Sequence, residues 1–226
     1  MIRVVVGGAT GKLGSLVCSL IVKQDDMRLV GGLVSEGSDS AGREIAPGVR
    51  ARGIGHVDDV LPEADVYVDL TSPVAIGKNL PAIMRPGLSY VIGTTGLPAE
   101  VVADLRSHLH EHGSSAVVAP NFSVGVNVFF KTCDILAHYL KDYDVEIVEV
   151  HHSQKKDAPS GTARRAAEII SAATDIGKVV YGREGMVGAR GREIGIHSVR
   201  AGDVVGEHTV IFAGKKERIE LTHRAH

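Results

Sequence analysis

The chain has 226 residues, enough for one large domain or two small ones. Lys plus Arg total 25 against 27 Asp plus Glu, so no net field draws it to nucleic acid or to an anionic membrane surface. Apolar residues make up 44%, which allows a sizeable core, and no apolar run approaches the roughly 18 residues of a membrane span.

The opening stretch MIRVVVGGATG reads as a strand and a turn, with no cationic leader. Ile2–Val6 is a short apolar run of the kind expected for a buried parallel strand. Gly11–Val22 follows as a helix whose predicted inward stripe is Leu13, Leu16, Val17, Leu20 and Ile21. Leu29–Val34 is a second expected strand, and residues 35–56, rich in Gly, Ser and charge, are expected as a loop. Val66–Leu70, Tyr90–Ile92 and Ala116–Ala119 read as further strands, separated by helices over Val74–Met84 and from Pro98, as the first helical residue, to Gly113. Repeated strand–helix units of this kind imply a parallel, doubly wound sheet.

The pattern changes after Pro120. Ser123 is a candidate cap for a helix with Val128, Phe129, Thr132, Ile135, Leu136 and Tyr139 on its expected inner face. Val145–Val150 is a strand, Thr162–Ala173 an Ala-rich helix, and the chain is mostly extended from Ile194 onward. The expected fold is therefore α/β: an N-terminal Rossmann-like dinucleotide-binding domain over residues 1–122, then a mixed α+β domain for substrate binding and oligomerisation over 123–213. A final strand region over 214–226 is expected to return towards the first domain. Cys18 and Cys133 fall within predicted helices without metal-ligand spacing, so both are expected as buried thiols in a reducing, cytoplasmic compartment, with no metal site.

Two motifs carry chemistry. VVVGGATGKLGS places Gly8, Gly11 and Gly14 between a strand and a helix, where a tight turn and free helix-start N–H groups suit a pyrophosphate. Gly8, Ala9, Thr10, Gly11, Lys12 and Leu13 are therefore candidate cofactor residues. The loops Gly93–Thr94–Thr95 and Ala119–Pro120–Asn121–Phe122 follow later strands of the same sheet, so they belong to the same edge. No acidic residue ends the second strand, which reads Val34–Ser35; Ser35 can bond a ribose or a phosphate, and Lys12 is a cation within the turn. That favours use of both NADPH and NADH, with NADPH preferred, although Glu36 stands close enough in sequence to serve as an acidic ribose ligand.

The second motif is EVHHSQKKDAPSGTA, from Glu149 to Ala163. His151 and Lys155 can carry protons near neutral pH, while Ser160, Gly161 and Thr162 open a helix that can hold a carboxylate. Together these residues resemble the E-(L/V)-H-H-x-x-K-x-D-A-P-S-G-T-A signature of the dihydrodipicolinate reductase family. VIGTTG, APNFSVGVN and GEHTVIFAGKKERIELTHRA resemble that family's other motifs in the same order. The resemblance implies a reductase of diaminopimelate and lysine biosynthesis that uses a nicotinamide cofactor and a small dicarboxylate substrate. It also implies a homotetramer built through the second domain, and closure of the two domains about a hinge near Pro120. By matching position it makes His151 the acid–base residue and Lys155 the proton donor, with His152, Gly161 and Thr162 on the substrate. Arg218 is a further expected cation at that site. The family runs on past THRA with a helix that returns to the first domain; this sequence stops at His226, so that helix is either absent or removed by truncation. Another two-domain dehydrogenase, or a nucleotide-sensing regulator, shares the glycine turn, but neither explains the clustered histidines and lysine.

Overall fold

The computed structural model describes residues 1–226, and the chain divides into two compact units, Met1–Pro120 and Asn121–His226. In the first unit, β1 (Ile2–Gly7) leads through the glycine turn into α1 (Lys12–Ile21), then β2 (Met27–Val34). β3 (Glu44–Ala46) and β4 (Val49–Gly53) follow, then β5 (Val66–Asp69), α2 (Pro73–Ile83), β6 (Ser89–Ile92), α3 (Ala99–His112) and β7 (Ala116–Val118). The seven strands form one sheet in the order β3-β4-β2-β1-β5-β6-β7, parallel throughout except for the β3–β4 hairpin. Val4 and Val6 of β1 face the α1 side, with Cys18 and Ile21; Val5 faces the other side, with Ile76, Leu80 and Ile83 of α2 and Val101 and Leu105 of α3. Helices on both faces explain why the strands are apolar runs rather than alternating ones.

Three sequence expectations change here. Residues 35–56 are not a plain loop: β3 and β4 turn at Pro47–Gly48, and β4 extends the sheet beside β2. Pro98 caps α3 from outside rather than opening it, and Gly113 closes the helix with a left-handed φ of 61°. The third change is the face of α1. Leu13, Leu16 and Leu20 are more than half exposed, while Gly14, Cys18 and Ile21 point inward. Gly14 sets this rotation, because a Cβ there would lie 2.0 Å from the carbonyl oxygen of Gly8. The helix packs its glycine against the turn, and the leucines follow to the outside.

In the second unit α4 (Val124–Tyr139) leads to β8 (Asp144–His151), α5 (Gly161–Thr174), β9 (Val179–Tyr181), β10 (Ile194–Arg200), β11 (Gly206–Ala213) and β12 (Arg218–Ala225). The sheet order is β12-β11-β8-β10-β9, with β8, β10 and β9 parallel and β11 antiparallel to both neighbours. One face packs on α4 and α5 through Val145, Ile147, Ile194, Ile196, Val210 and Phe212. Ser123 caps α4, its hydroxyl accepting from the Val126 N–H at 3.3 Å. The buried face of α4 is Val126, Phe129, Cys133 and Ala137; Val128, Ile135 and Tyr139, expected inside, are exposed. Small residues on that face suit close packing against the alanines of α5. Residues 218–225 pair along β11 as the edge strand of this second sheet, in place of the separate terminal segment expected.

The contact at Gly14 yields a test of the fold. Gly14→Ala should destabilise the chain by about 1–3 kcal/mol, the usual cost of overpacking, because backbone rather than a flexible side chain occupies the space. A lowered thermal unfolding midpoint with unchanged secondary structure by circular dichroism is the expected result.

Candidate active site

β8 alternates in and out, so Glu149 and His151 share the face that meets the N-terminus of α5. Glu149 is fully buried and His151 nearly so. The Glu149 carboxylate accepts from Arg200 Nη1 at 3.0 Å and Nη2 at 2.8 Å, from the Ser160 N–H at 3.2 Å, and from His151 Nδ1. Burial pushes this carboxyl up, but hydrogen bonds from Arg200, Ser198 and His151 outweigh it and hold the group below its ordinary value. Arg200 stands beside His151 in the β8–β10 register and also donates to the Asp157 carbonyl at 2.7 Å. Lys155 turns back in the same loop, its N–H on the His152 carbonyl and its Nζ 2.8 Å from Asp157 Oδ1. That lysine contact keeps the Asp157 carboxyl below its ordinary value. His152 is half-buried beside this turn.

At the start of α5 the structure divides the expected carboxylate clamp. Gly161 and Thr162 are the first two helical residues, so their N–H groups have no partner within the helix, and a Cβ at Gly161 would meet nothing within 4 Å. These N–H groups face open space and could hold an anion. Ser160 is not part of that surface. Its hydroxyl, 2% exposed, accepts from the Ala163 N–H and bonds His208 Nε2 at 2.9 Å, so it is engaged as a helix cap rather than free for a ligand. His208 reaches this position from β11, paired opposite Glu149. Desolvation, then the nearby His151, pushes His208 down to about 4, which keeps it neutral at physiological pH. Arg218 is not at this site either. It lies opposite Ala213, level with Asp144, seven residues along β8 from His151, roughly 23 Å at strand rise. It bonds Glu220 there.

Ligand atoms of Glu149, His151 and His208 lie within 4.8 Å of one another. Each of these residues already has a hydrogen-bond partner, Arg200 and Ser160 for Glu149, Glu149 for His151 and Ser160 for His208, so the cluster is a buried hydrogen-bond network. Arg200 and His208 are the site residues that the sequence motif does not contain.

In the first unit the glycine turn is ordered by the sheet. Gly8, at φ +76°, and Ala9 both donate to the Leu33 carbonyl, and Gly11 donates to Gly8. Ala9 is fully buried, so it shapes the turn from beneath. Lys12 and Leu13 are exposed at the start of α1, where first-turn N–H groups lack helical partners. A cavity of about 190 Å³ beside the turn is lined by Gly8, Val34, Ser35, Thr71, Ser72 and Asn79. Asp69 organises its rim: its carboxylate accepts from Tyr67, from the Thr71 N–H and hydroxyl, and from Thr94, while its carbonyl accepts from Gly93. Thr94 is thus turned inward, whereas Thr95 is exposed. Ala119 donates to Ile92, so that loop runs on from the same edge. At the start of the second unit, Asn121 accepts from Ser123 and Asn127, while Phe122 and Pro120 are exposed. Free N–H groups at a helix start beside a polar-rimmed cavity fit a dinucleotide pyrophosphate. Glu36, the alternative ribose ligand, accepts from the Gly55 N–H at 2.8 Å.

Residues 2–122 match the family model "Dihydrodipicolinate reductase, N-terminus", and residues 125–226 match "Dihydrodipicolinate reductase, C-terminus". Over its whole length the chain is 50% identical to the 4-hydroxy-tetrahydrodipicolinate reductase of Methanosarcina barkeri and 48% identical to that of Methanocaldococcus jannaschii. It spans 88% and 86% of those relatives. A solved structure, a dipicolinate-bound dihydrodipicolinate reductase from Paenisporosarcina sp. TG-14, superposes with a TM-score of 0.80 at 29% identity, covering all of this chain and 88% of that one. Both halves of the chain, and the relatives that match it end to end, agree: it belongs to the dihydrodipicolinate reductase family.

Proposed function

We propose that this chain catalyses the NAD(P)H-dependent reduction of 4-hydroxy-tetrahydrodipicolinate, or its dehydrated form dihydrodipicolinate, to tetrahydrodipicolinate, a step of diaminopimelate and lysine biosynthesis. The observation that carries this reading is the convergence of His151, Lys155 and the open Gly161–Thr162 helix start in one unit. The name shared by its full-length relatives agrees with it.

In this reading the Gly161 and Thr162 N–H groups and the Thr162 hydroxyl hold a substrate carboxylate, assisted by the charge at the helix start. His152 borders the same seat. Lys155 leaves Asp157 to meet the substrate and donates the proton, with His151 as the acid–base partner that shares and restores it. The bound nicotinamide supplies the hydride. Leu13, Thr10 and the turn glycines hold its pyrophosphate, Lys12 reaches the 2′-phosphate of NADPH, and Ser35, Thr95 and the Ala119–Phe122 loop contact the remainder. Ser160 and Thr94 act by shaping their loops rather than by touching ligands.

We further assign dual cofactor use with NADPH preferred. β2 ends in Val34–Ser35 without a carboxylate to repel a 2′-phosphate, and Glu36 is engaged by Gly55. A homotetramer formed through the second unit fits the sheet face that α4 and α5 leave uncovered, which carries Val148, Val150, Val199 and Ile211. No helix is long and apolar enough to cross a membrane, and both cysteines are free thiols, which agrees with a cytoplasmic location.

The direct test is oxidation of NADPH or NADH with substrate freshly made by dihydrodipicolinate synthase; absence of turnover by intact protein would refute the proposal. His151→Ala and Lys155→Ala should each lower kcat by roughly 10²-fold or more, with cofactor affinity unchanged because both residues lie in the second unit. Thr162→Val should raise the substrate KM more than it lowers kcat. Pyridine-2,6-dicarboxylate should compete with substrate and not with cofactor. Lys12→Ala should lose mainly NADPH efficiency, and that loss should shrink as salt screens the charge pair; equal losses for both cofactors would place Lys12 on the pyrophosphate instead.

A further inference from the structure

We propose that Glu149 and Arg200 are a positioning pair that fixes the tautomer and orientation of His151; this rests on the reading of His151 as the acid–base residue. An ionised carboxylate only accepts hydrogen bonds, so the proton between Glu149 and His151 sits on Nδ1. Nε2 is then the atom left to take and give the catalytic proton. Gly206 of β11 keeps room beside it, since a Cβ there would lie 3.0 Å from Nε2.

Arg200 has two tasks in this arrangement. Its forked contact keeps a fully buried carboxylate ionised, which Glu149 without a cation would not remain. Its bond to the Asp157 carbonyl ties the loop bearing Lys155 to the strand bearing His151. When His151 gains a proton, the new imidazolium lies against the Glu149 charge and is stabilised by it. The titratable and charged groups around His151 are Glu149 on its own strand, Arg200 on β10, His208 on β11 with His223 beyond it on β12, and Lys155 with Asp157 in the loop. His208, whose ring centre is 5.1 Å from that of His151, is neutral, so it sets no charge against the His151 ring.

The experiment compares the full-length wild type, Glu149→Gln and Arg200→Lys by two readouts: kcat with both KM values, and the nitrogen-15 shifts of the His151 imidazole, assigned with His151→Ala. Wild type should show Nδ1 protonated in the neutral ring. Glu149→Gln should lose the preference for the Nδ1-protonated ring and lower kcat roughly 10–10²-fold, with both KM values changed less than about threefold. Arg200→Lys keeps the charge but not the fork, so it should fall between the two. Glu149→Asp, which keeps the carboxylate, should retain the tautomer and replaces Glu149→Gln should that variant not fold. An ion pair that only supports the fold would lower the unfolding temperature and leave the tautomer of His151 where it is; that result would overturn the proposal. Absence of reductase turnover in wild type would remove the functional reading, whereas the imidazole shifts would still decide whether Glu149 sets the tautomer.

Discussion

A carboxylate taken out of water remains charged only where cations and N–H groups replace the water that solvated it. Glu149 meets that condition through Arg200, the Ser160 N–H and His151 at once. Each donor comes from a different part of the second unit: the end of β10, the start of α5 and the end of β8. One buried charge therefore locates the parts of the site that local sequence alone would leave independent. The loop between His151 and Ser160 is short and polar and has little core of its own. Its order comes from Arg200 at the Asp157 carbonyl and from the turn that places Lys155 over His152.

The first unit solves the same problem differently. Asp69 is as buried as Glu149, yet its donors are two hydroxyl-bearing threonines, a tyrosine and an amide, none of them cationic. Burial, then the Asp69 charge, pushes the Tyr67 hydroxyl well above its ordinary value, so Tyr67 serves as a fixed donor. Gly7 leaves space for that hydroxyl, since a Cβ there would lie 2.0 Å from it. Neutral donors around Asp69 leave the cavity rim without an added cation near the glycine turn. The second unit, in contrast, sets the cations Arg200 and Lys155 against its carboxylates Glu149 and Asp157.

Local motifs were legible in the sequence because their chemistry is contiguous. The strand–glycine–helix turn and the His-His-x-x-Lys loop with its helix start each lie within about 15 residues, and the structure builds both at those positions. What was not legible depends on strand register. Arg200 and His208 stand 51 and 59 residues after Glu149, and only the pairing of β10 and β11 with β8 brings them beside it. The same register carries Arg218 to the far end of the sheet. Helix faces failed for another reason. Of the stripe expected for α1, Ile21 is buried, but the leucines turn outward and Gly14 and Cys18 inward because backbone contact at Gly14 permits only one rotation. Ser160 reads as a ligand in sequence, since any helix-start serine can turn either way, and here the buried His208 holds it inward.

Each unit encloses one thiol. Cys18 and Cys133 are both fully buried, and burial pushes them up to about 11 and about 12. In the folded state neither is a thiolate at neutral pH, so neither reacts with alkylating reagents until its surroundings open. The chain thus carries a silent reporter in each half: the rate at which each cysteine is modified measures how often that half opens, independently of the other. A fluorophore can also be attached to a cysteine introduced on the surface without first removing the native pair.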